Sequence, residues 1–367
     1  MNRAQVIPSL AITINSSIKN VISGFLLVIF LAACAPSPSE SANDSAPQNE
    51  MGPDHIEVAL KFEVGKRYIY AFDMSYEMDF GDALGAMMAD GQTVTQNQQY
   101  SISVTKESSD GAKTIEFSFL ENRIDMDMGP LKMTYDSNKP IDPNDPASAM
   151  FAPFNKVIGE AIVVEIDKDQ KVISVTGLDE LREDILTVAN PQIAGMATGI
   201  FSNYYVENLT VPSGNPLRPI KPGDSWPSNA THNLGALGTF MADLQYQFKK
   251  MELHEGSECA QIAFSGTIRG KPSDVESSEV GQMMEITGGN IFGRQWYDPE
   301  IGQICDSSSE QKMKIKMSVP GIPAEALQDG GLILDVQQQL SRKLVRVETI
   351  SESTSPSEAE TDSQATE

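Results

Sequence analysis

The chain has 367 residues, with 27 Lys or Arg against 51 Asp or Glu and a net charge of −24. That length accommodates two ordinary domains with sizeable cores. Such a surface repels phosphate backbones and anionic headgroups, which excludes nucleic acid as a partner and disfavours peripheral adsorption to acidic membranes.

Arg3 and Lys19 are the only charges ahead of an apolar run from Val21 to Ala33, VISGFLLVIFLAA. A spanning helix needs about 20 apolar residues, so the run is too short to cross a bilayer and fits the core of a secretion signal. It ends in Leu31-Ala32-Ala33-Cys34, which reads as a bacterial lipobox. Residues 1–33 are expected to be a signal peptide, and Cys34 to be acylated, palmitate included, as the mature N-terminus. Each buried methylene adds about 0.8 kcal/mol and stable anchoring takes more than one chain. Loss of Arg3 and Lys19 leaves 27 − 2 = 25 basic residues against 51 acidic ones, a net −26. Ala35-Pro36 follow the cysteine, with no aspartate to hold the protein at the inner membrane. The expected location is the periplasmic face of the outer membrane. Cys259 and Cys305 are the remaining cysteines; an oxidising compartment permits a disulfide between them, with two free thiols as the alternative.

Residues 34–55 are rich in Pro, Ser, Asn and Asp and read as a flexible tether behind the lipidated cysteine. Residues 351–367 carry five acidic groups and no basic one, a solvated acidic tail. Between these lies a body with a period of two. From Tyr68 to Phe80 every even position is apolar or aromatic. The alternation recurs at Tyr100-Ile102-Val104, Ile115-Phe117-Phe119, Ile124-Met126-Met128, Leu131-Met133-Tyr135 and Ile162-Val164-Ile166. It returns at Leu244-Tyr246-Phe248, Ile262-Phe264, Met313-Ile315-Met317 and Leu332-Leu334-Val336. Strands with one apolar face predict antiparallel sheet. Leu178, Leu181, Ile185 and Val188, then Ile193, Met196, Ile200, Phe201 and Tyr204, switch to helical spacing and predict two amphipathic helices over 178–207. Residues 80–90, FGDALGAMMAD, form a weaker helical or lid-like candidate. Prolines 212, 216, 219 and 222 mark a stiff linker.

Beyond the linker the sequence echoes itself. Phe62–Tyr68 (FEVGKRY) corresponds to Ile220–Trp226 (IKPGDSW), residues 98–119 to 244–266, and Thr134-Tyr135-Asp136-Ser137 to Trp296-Tyr297-Asp298-Pro299. The expected fold is mainly β: two tandem curved antiparallel sheets from a degenerate duplication, 56–210 and 211–350, with amphipathic helices packed on them.

Val64-Gly65-Lys66-Arg67-Tyr68, Tyr135-Asp136-Ser137, Val172 to Gly177 and Lys221 to Trp226 resemble an uncharacterised family of bacterial lipoproteins of unknown function. That resemblance implies no catalytic residues. A looser architectural likeness points to half-barrel envelope lipoproteins and lipid carriers, which hold acyl chains on an apolar concave face.

Three motifs invite chemistry. Gly223-Asp224-Ser225 looks like a hydrolase serine block, but it continues Trp226-Pro227, and no histidine follows His254 to serve as base. The 17 methionines include Met126 and Met128 on the strand face of Ile124, where thioethers line apolar surface rather than a copper site. Asp136-Ser137-Asn138-Lys139-Pro140 starts like a calcium loop but puts proline at the third ligand position. Neither a catalytic residue, a metal nor a cofactor is therefore expected. The expected function is non-enzymatic: a lipid-anchored envelope protein binding a hydrophobic or amphipathic ligand, with Phe72, Met74, Phe117, Phe119, Met126, Met128, Ile200 and Tyr204 lining the pocket. The alternative is a structural or assembly role through protein–protein contacts.

Overall fold

The computed structural model of the protein describes residues 55–79, 91–128, 131–142, 144, 151–188, 202–211, 214–216, 218–233, 239–271, 284–317 and 331–350. In the first part of the chain these form strands β1 (Lys66–Asp79), β2 (Gln92–Glu107), β3 (Lys113–Met128), β4 (Leu131–Asp136), β5 (Ile162–Ile166) and β6 (Val172–Thr176). Helices α1 (Leu178–Val188) and α2 (Asn203–Thr210) follow, with a short 3-10 helix at Ala152–Val157 before β5. The second part contributes β7 (Ser225–Asn233), β8 (Thr239–His254), β9 (Ser257–Lys271), β10 (Met284–Asp298), β11 (Gln303–Met317) and β12 (Leu332–Thr349).

The fold is mostly β and antiparallel, as the alternation requires. The two expected sheets are joined into one. Its order is β6-β5-β3-β2-β1-β12-β11-β10-β9-β8-β7, with β4 paired to the far half of β3. The sheet is open and curved, with β6 and β7 as its edges. The join is the β1–β12 ladder, which runs in register from Lys66 opposite Thr349 to Asp79 opposite Asp335, with one bulge at Ile69/Tyr70.

Strand alternation decides which face is buried. Tyr68, Tyr70, Phe72, Met74, Tyr76 and Met78 are all at most 5% exposed, whereas Asp73, Glu77 and Asp79 face solvent. A one-residue slip would move that whole apolar set outward, so the hydrophobic term fixes the register. The same turn opens β1 and β7. Gly65 (φ +78°) and Gly223 (φ +96°) each adopt a left-handed backbone, and their N–H groups donate to Val104 O (3.0 Å) and Phe248 O (2.8 Å). A Cβ would meet nothing at either position, so the glycine is there for its φ and not for space. β2 and β8 then bulge immediately after Val104 and Phe248. The geometry thus matches Val104 with Phe248, whereas the sequence echo of Tyr100 with Tyr246 places Ile102 there, one pleat away.

On the inner face, residues 55–63 form a strap between the two parts of the chain. Ile56 bridges Ile220, Tyr68 Oη donates to Lys61 O (3.0 Å), and Tyr297 Oη donates to Ala59 O (2.7 Å). Gln170, in the β5–β6 turn, accepts from Leu60 N and donates to Leu60 O. Val58, Leu60 and Phe62 are buried beneath it. Of the two expected helices, α1 buries Leu178 and Ile185 and carries Asp179 and Glu180 in its first turn, where the helix dipole favours them. α2 is capped by Ser202, whose Oγ accepts from Tyr205 N (3.2 Å). Residues 80–90 and 189–201, where further helix is expected, lie outside the described residues. The 3-10 helix was not legible in the sequence; Phe154 and Val157 bury it against the sheet end.

Met78, buried on β1 opposite Val336 of β12, tests the join. Met78→Ala should cost about 2–5 kcal/mol, through lost transfer energy and a residual cavity, read as a lower urea midpoint at unchanged slope.

Candidate functional site

The inner face at the join is built in two chemically different zones. Across β1, β2 and β3 runs an aromatic ladder: Tyr70 stacks on Tyr100 (centroids 5.3 Å apart), Tyr100 on Phe117 (5.2 Å), and Phe117 meets Phe119 edge-on (4.9 Å). α2 lies over it. Tyr205 Oη donates to Gln98 Oε1 (2.9 Å), and Tyr100 Oη reaches Leu209 O at 3.5 Å. The offset-stacked and T-shaped arrangements add roughly 0.5–1.5 kcal/mol each beyond the area they bury.

The second zone is polar, and it is buried as deeply. Gln92, Gln96, Gln98 and Asn122 on β2 and β3, Gln295, Gln303 and Gln311 on β10 and β11, and Gln338 and Arg342 on β12 are all at most 8% exposed. Pairing sets them in rows. Asn122, Gln98, Phe72, Arg342, Ser307 and Gln295 succeed one another across β3, β2, β1, β12, β11 and β10. Some are satisfied: Gln96 Nε2 donates to Asn122 Oδ1 (3.0 Å), and Gln338 Nε2 to Tyr76 Oη (2.8 Å). Others are not. Gln92 Oε1, Gln295 Nε2, Gln311 Oε1, Gln338 Oε1 and Arg342 Nε are buried without a hydrogen-bond partner. Each such atom costs about 1–3 kcal/mol unless something meets it.

Tyr70 joins the zones. Its hydroxyl donates to Gln303 Oε1 (2.8 Å), Gln303 Nε2 donates to Lys61 O (2.9 Å), and the Arg342 guanidinium lies over its ring at 4.1 Å. Burial pushes the Tyr70 phenol up to about 12, with Arg342 acting in the opposite direction.

Of the residues expected to line a pocket, Phe72, Met74, Phe117, Phe119 and Met126 share this buried face. Met128 ends β3 opposite Leu131, and Tyr204 lies on α2, where its neighbour Tyr205 makes the contact with the sheet; the side chains of Met128 and Tyr204, and all of Ile200, fall outside the described residues. The glutamines and Arg342 were missed, because a polar inward position breaks the apolar alternation. The signal that finds them is the same period continued: Gln92-Val94-Gln96-Gln98, and Leu334-Val336-Gln338-Leu340-Arg342.

Two open cavities of ≈ 720 and ≈ 580 Å³ lie on the opposite, polar face, over β1, β12, β11 and β10. They share one trough, with Asp73, Glu77, Arg294, Lys312 and Gln339 on its floor and Phe292 exposed within it. Ser225 is exposed at the start of β7, opposite Gln247, while Asp224 accepts from Lys221 N and Arg218, the arrangement of a turn. One group among the described residues offers metal-ligand atoms within 4.8 Å of one another, His254, Glu255 and Asp306. Each already has a partner: His254 Nε2 contacts Asp306 Oδ2 at 3.0 Å, and Glu255 pairs with Lys343.

Residues 110–294, just over half of the chain, match the model described as "Family of unknown function (DUF6263)". No curated protein matches the sequence. Among solved structures, the chain is similar to lipovitellin, from a study of its lipid–protein interactions, at 11% identity and TM-score 0.41. The alignment takes in 80% of this chain and 26% of that one, so this chain spans about a quarter of lipovitellin. It is also aligned with OpdQ of Pseudomonas aeruginosa (7% identity, TM-score 0.16, 77% of this chain and 98% of that). OccK11 (OpdR) of the same organism aligns at 6% identity and TM-score 0.15, over 78% of this chain and 98% of that. At these scores none of the three carries an argument about function.

The two cysteines from distant parts of the sequence meet. Cys305 is the extra residue of the bulge opposite Trp296/Tyr297, its Sγ donates to Trp296 O (3.2 Å), and it lies 3.4 Å from Cys259 Sγ. Burial raises both thiols above their ordinary value, Cys305 the more strongly. Neither is therefore a nucleophilic thiolate near neutral pH. The reduced protein should resist alkylation at pH 8 until unfolded. Mild oxidation should remove two hydrogens and leave one intramolecular crosslink, both read by intact-mass spectrometry; Cys305→Ser should abolish the crosslink.

Proposed function

The chain belongs to the family DUF6263, and we propose that it is a lipid-anchored cell-envelope protein, not an enzyme, that binds an amphipathic ligand on the inner face of its sheet. The observation that carries this reading is the mixed chemistry of that face. A dry core is built of apolar side chains, with every polar group paired. Here Met74, Phe72 and the aromatic ladder lie beside Gln295, Gln311, Gln338 and Arg342, each with a buried polar atom left without a partner. A guest with an apolar chain and a polar end satisfies both zones at once, whereas a purely apolar one leaves the second unmet.

The anchoring half of the proposal rests on Leu31-Ala32-Ala33-Cys34 at the end of the apolar run. That motif, with no aspartate after the cysteine, supports an envelope location on the periplasmic face of the outer membrane. The acidic surface gives no electrostatic hold on anionic lipid, so the acyl chains are the membrane attachment. A second reading, an assembly protein that recruits envelope partners, is favoured by the polar trough with Phe292 exposed in it, since a concave polar strip with an apolar anchor suits a protein partner.

Cells expressing the wild-type chain should incorporate labelled palmitate into it and retain it with membranes; Cys34→Ser should lose both. The soluble Cys34→Ser chain, purified without detergent, should carry one acyl-containing lipid per protein in native mass spectra. Spectra showing only empty protein, with stable envelope partners captured in place of lipid, would instead establish the second reading.

A further inference from the structure

Arg342 is the one residue whose burial and chemistry disagree most sharply. It sits at the centre of the twelve-strand sheet, on β12, 8% exposed. Among the described residues it makes no salt bridge; its side-chain hydrogen bond is with the Tyr70 hydroxyl, and its Nε is buried without a partner. The inner-face side chains around it are Phe72 and Ser307 across the ladders and Leu340 and Leu344 along its own strand, none of them acidic. Its guanidinium also lies over ring faces, Tyr70 at 4.1 Å and Tyr100 at 5.9 Å.

A guanidinium uses two different parts of itself for two kinds of partner. Its flat face stacks on aromatic rings, and its N–H edge forks onto a carboxylate or phosphate. Here the face is engaged, part of the edge meets the Tyr70 hydroxyl, and Nε is left without a partner. The Tyr70 ring is fixed beneath it by the Tyr70–Gln303–Lys61 hydrogen-bond chain, so the edge is held in orientation. Two strands over in the same row, Gln295 presents a second unpaired donor, Nε2, 6% exposed, with Ser307 between them. Two unpaired donors in one row, one of them on a buried positive charge, suit an oxyanion. The aromatic ladder and Met74 alongside supply the apolar wall for a chain attached to that anion.

Resting on the ligand-binding reading above, we propose that the ligand is an acyl amphipath with an oxyanion head, a carboxylate or a phosphate, bound by the Arg342 edge and the Gln295 amide. The net charge of −24 opposes the approach of such a ligand. Beyond a Debye length of about 8 Å at physiological salt that repulsion is screened, so the buried, unpaired guanidinium dominates at the site itself.

The test uses the soluble, delipidated full chain carrying Cys34→Ser, in equilibrium dialysis with labelled oleate, methyl oleate, oleoyl lysophosphatidate and inorganic phosphate. Oleate or the lysophosphatidate should bind about tenfold or more tighter than methyl oleate, the loss expected when a charge-assisted hydrogen bond is removed. Arg342→Met should erase that preference while leaving methyl oleate binding unchanged, and Arg342→Lys, which keeps the charge without the fork, should restore part of it. Because Arg342→Met removes an unpaired buried charge, the ligand-free variant should be at least as stable as the parent in urea; a large loss of stability would mark Arg342 as a structural residue and overturn the proposal. Equal binding of oleate and methyl oleate, unaffected by Arg342→Met, would overturn the oxyanion head and leave ligand binding standing. Phosphate binding lost in Arg342→Met, with neither acyl ligand bound, would assign a free anion and overturn the amphipath. No binding of any of the four would overturn both readings.

Discussion

The ladder between β1 and β12 brings Lys66 opposite Thr349 and makes one sheet of two parts of a chain that are otherwise separate in sequence. Closing so long a loop costs conformational entropy, though the cost grows only slowly with length. What offsets it is the inward set on both strands: Tyr68 to Met78 on β1, and Val336, Leu340 and Leu344 on β12. The inner-face strap adds to this, since Lys61 O accepts from Tyr68 in the first part and from Gln303 in the second. Arg342 is on the inner face only because the ladder is in this register; one residue of slip would turn it to solvent.

The fold was largely legible, because a half-buried antiparallel strand states its buried face at every second residue. β1, β3 and β8 were read in this way. The reading failed where inward positions are not apolar. The first half of β2 (QTVTQNQ), the DSSSEQ stretch of β11 and the middle of β12 (QQQLSRK) look like loop, yet pairing continues through all of them. β10 hides for another reason: Gly289 and Gly293 have no side chain to alternate, and a Cβ at either would meet a backbone carbonyl at 2.4 Å. The join between the halves was illegible altogether, since nothing in the sequence says which strand β1 takes as its second neighbour. The candidate site and the illegible stretches coincide. Sequences break local rules where something other than folding stability sets the residue, which is the reading proposed for the polar inward row.

The two faces of the sheet divide the chemistry. The outer face carries surface ion pairs such as Lys314–Asp335 and Arg123–Asp125, each contributing little to stability in water. On the inner face the Arg342 charge lies where the dielectric is low and every unmet interaction counts more. The trough on the outer face and the polar row on the inner one are back to back across the same four strands, β1, β12, β11 and β10.

The place of β12 in the chain also governs how the molecule is made. A chain emerging from its N-terminus completes β1, β2 and β3 long before β12 exists, so β1 must wait with one edge unpaired and its row of tyrosines and methionines uncovered. β11 waits in the same way on the other side. Exposed edges of that kind recruit other strands. The nascent protein thus depends on a chaperone, or on speed, until the last strand arrives, and any chain stopped before Leu332 keeps two raw edges at the centre of its sheet.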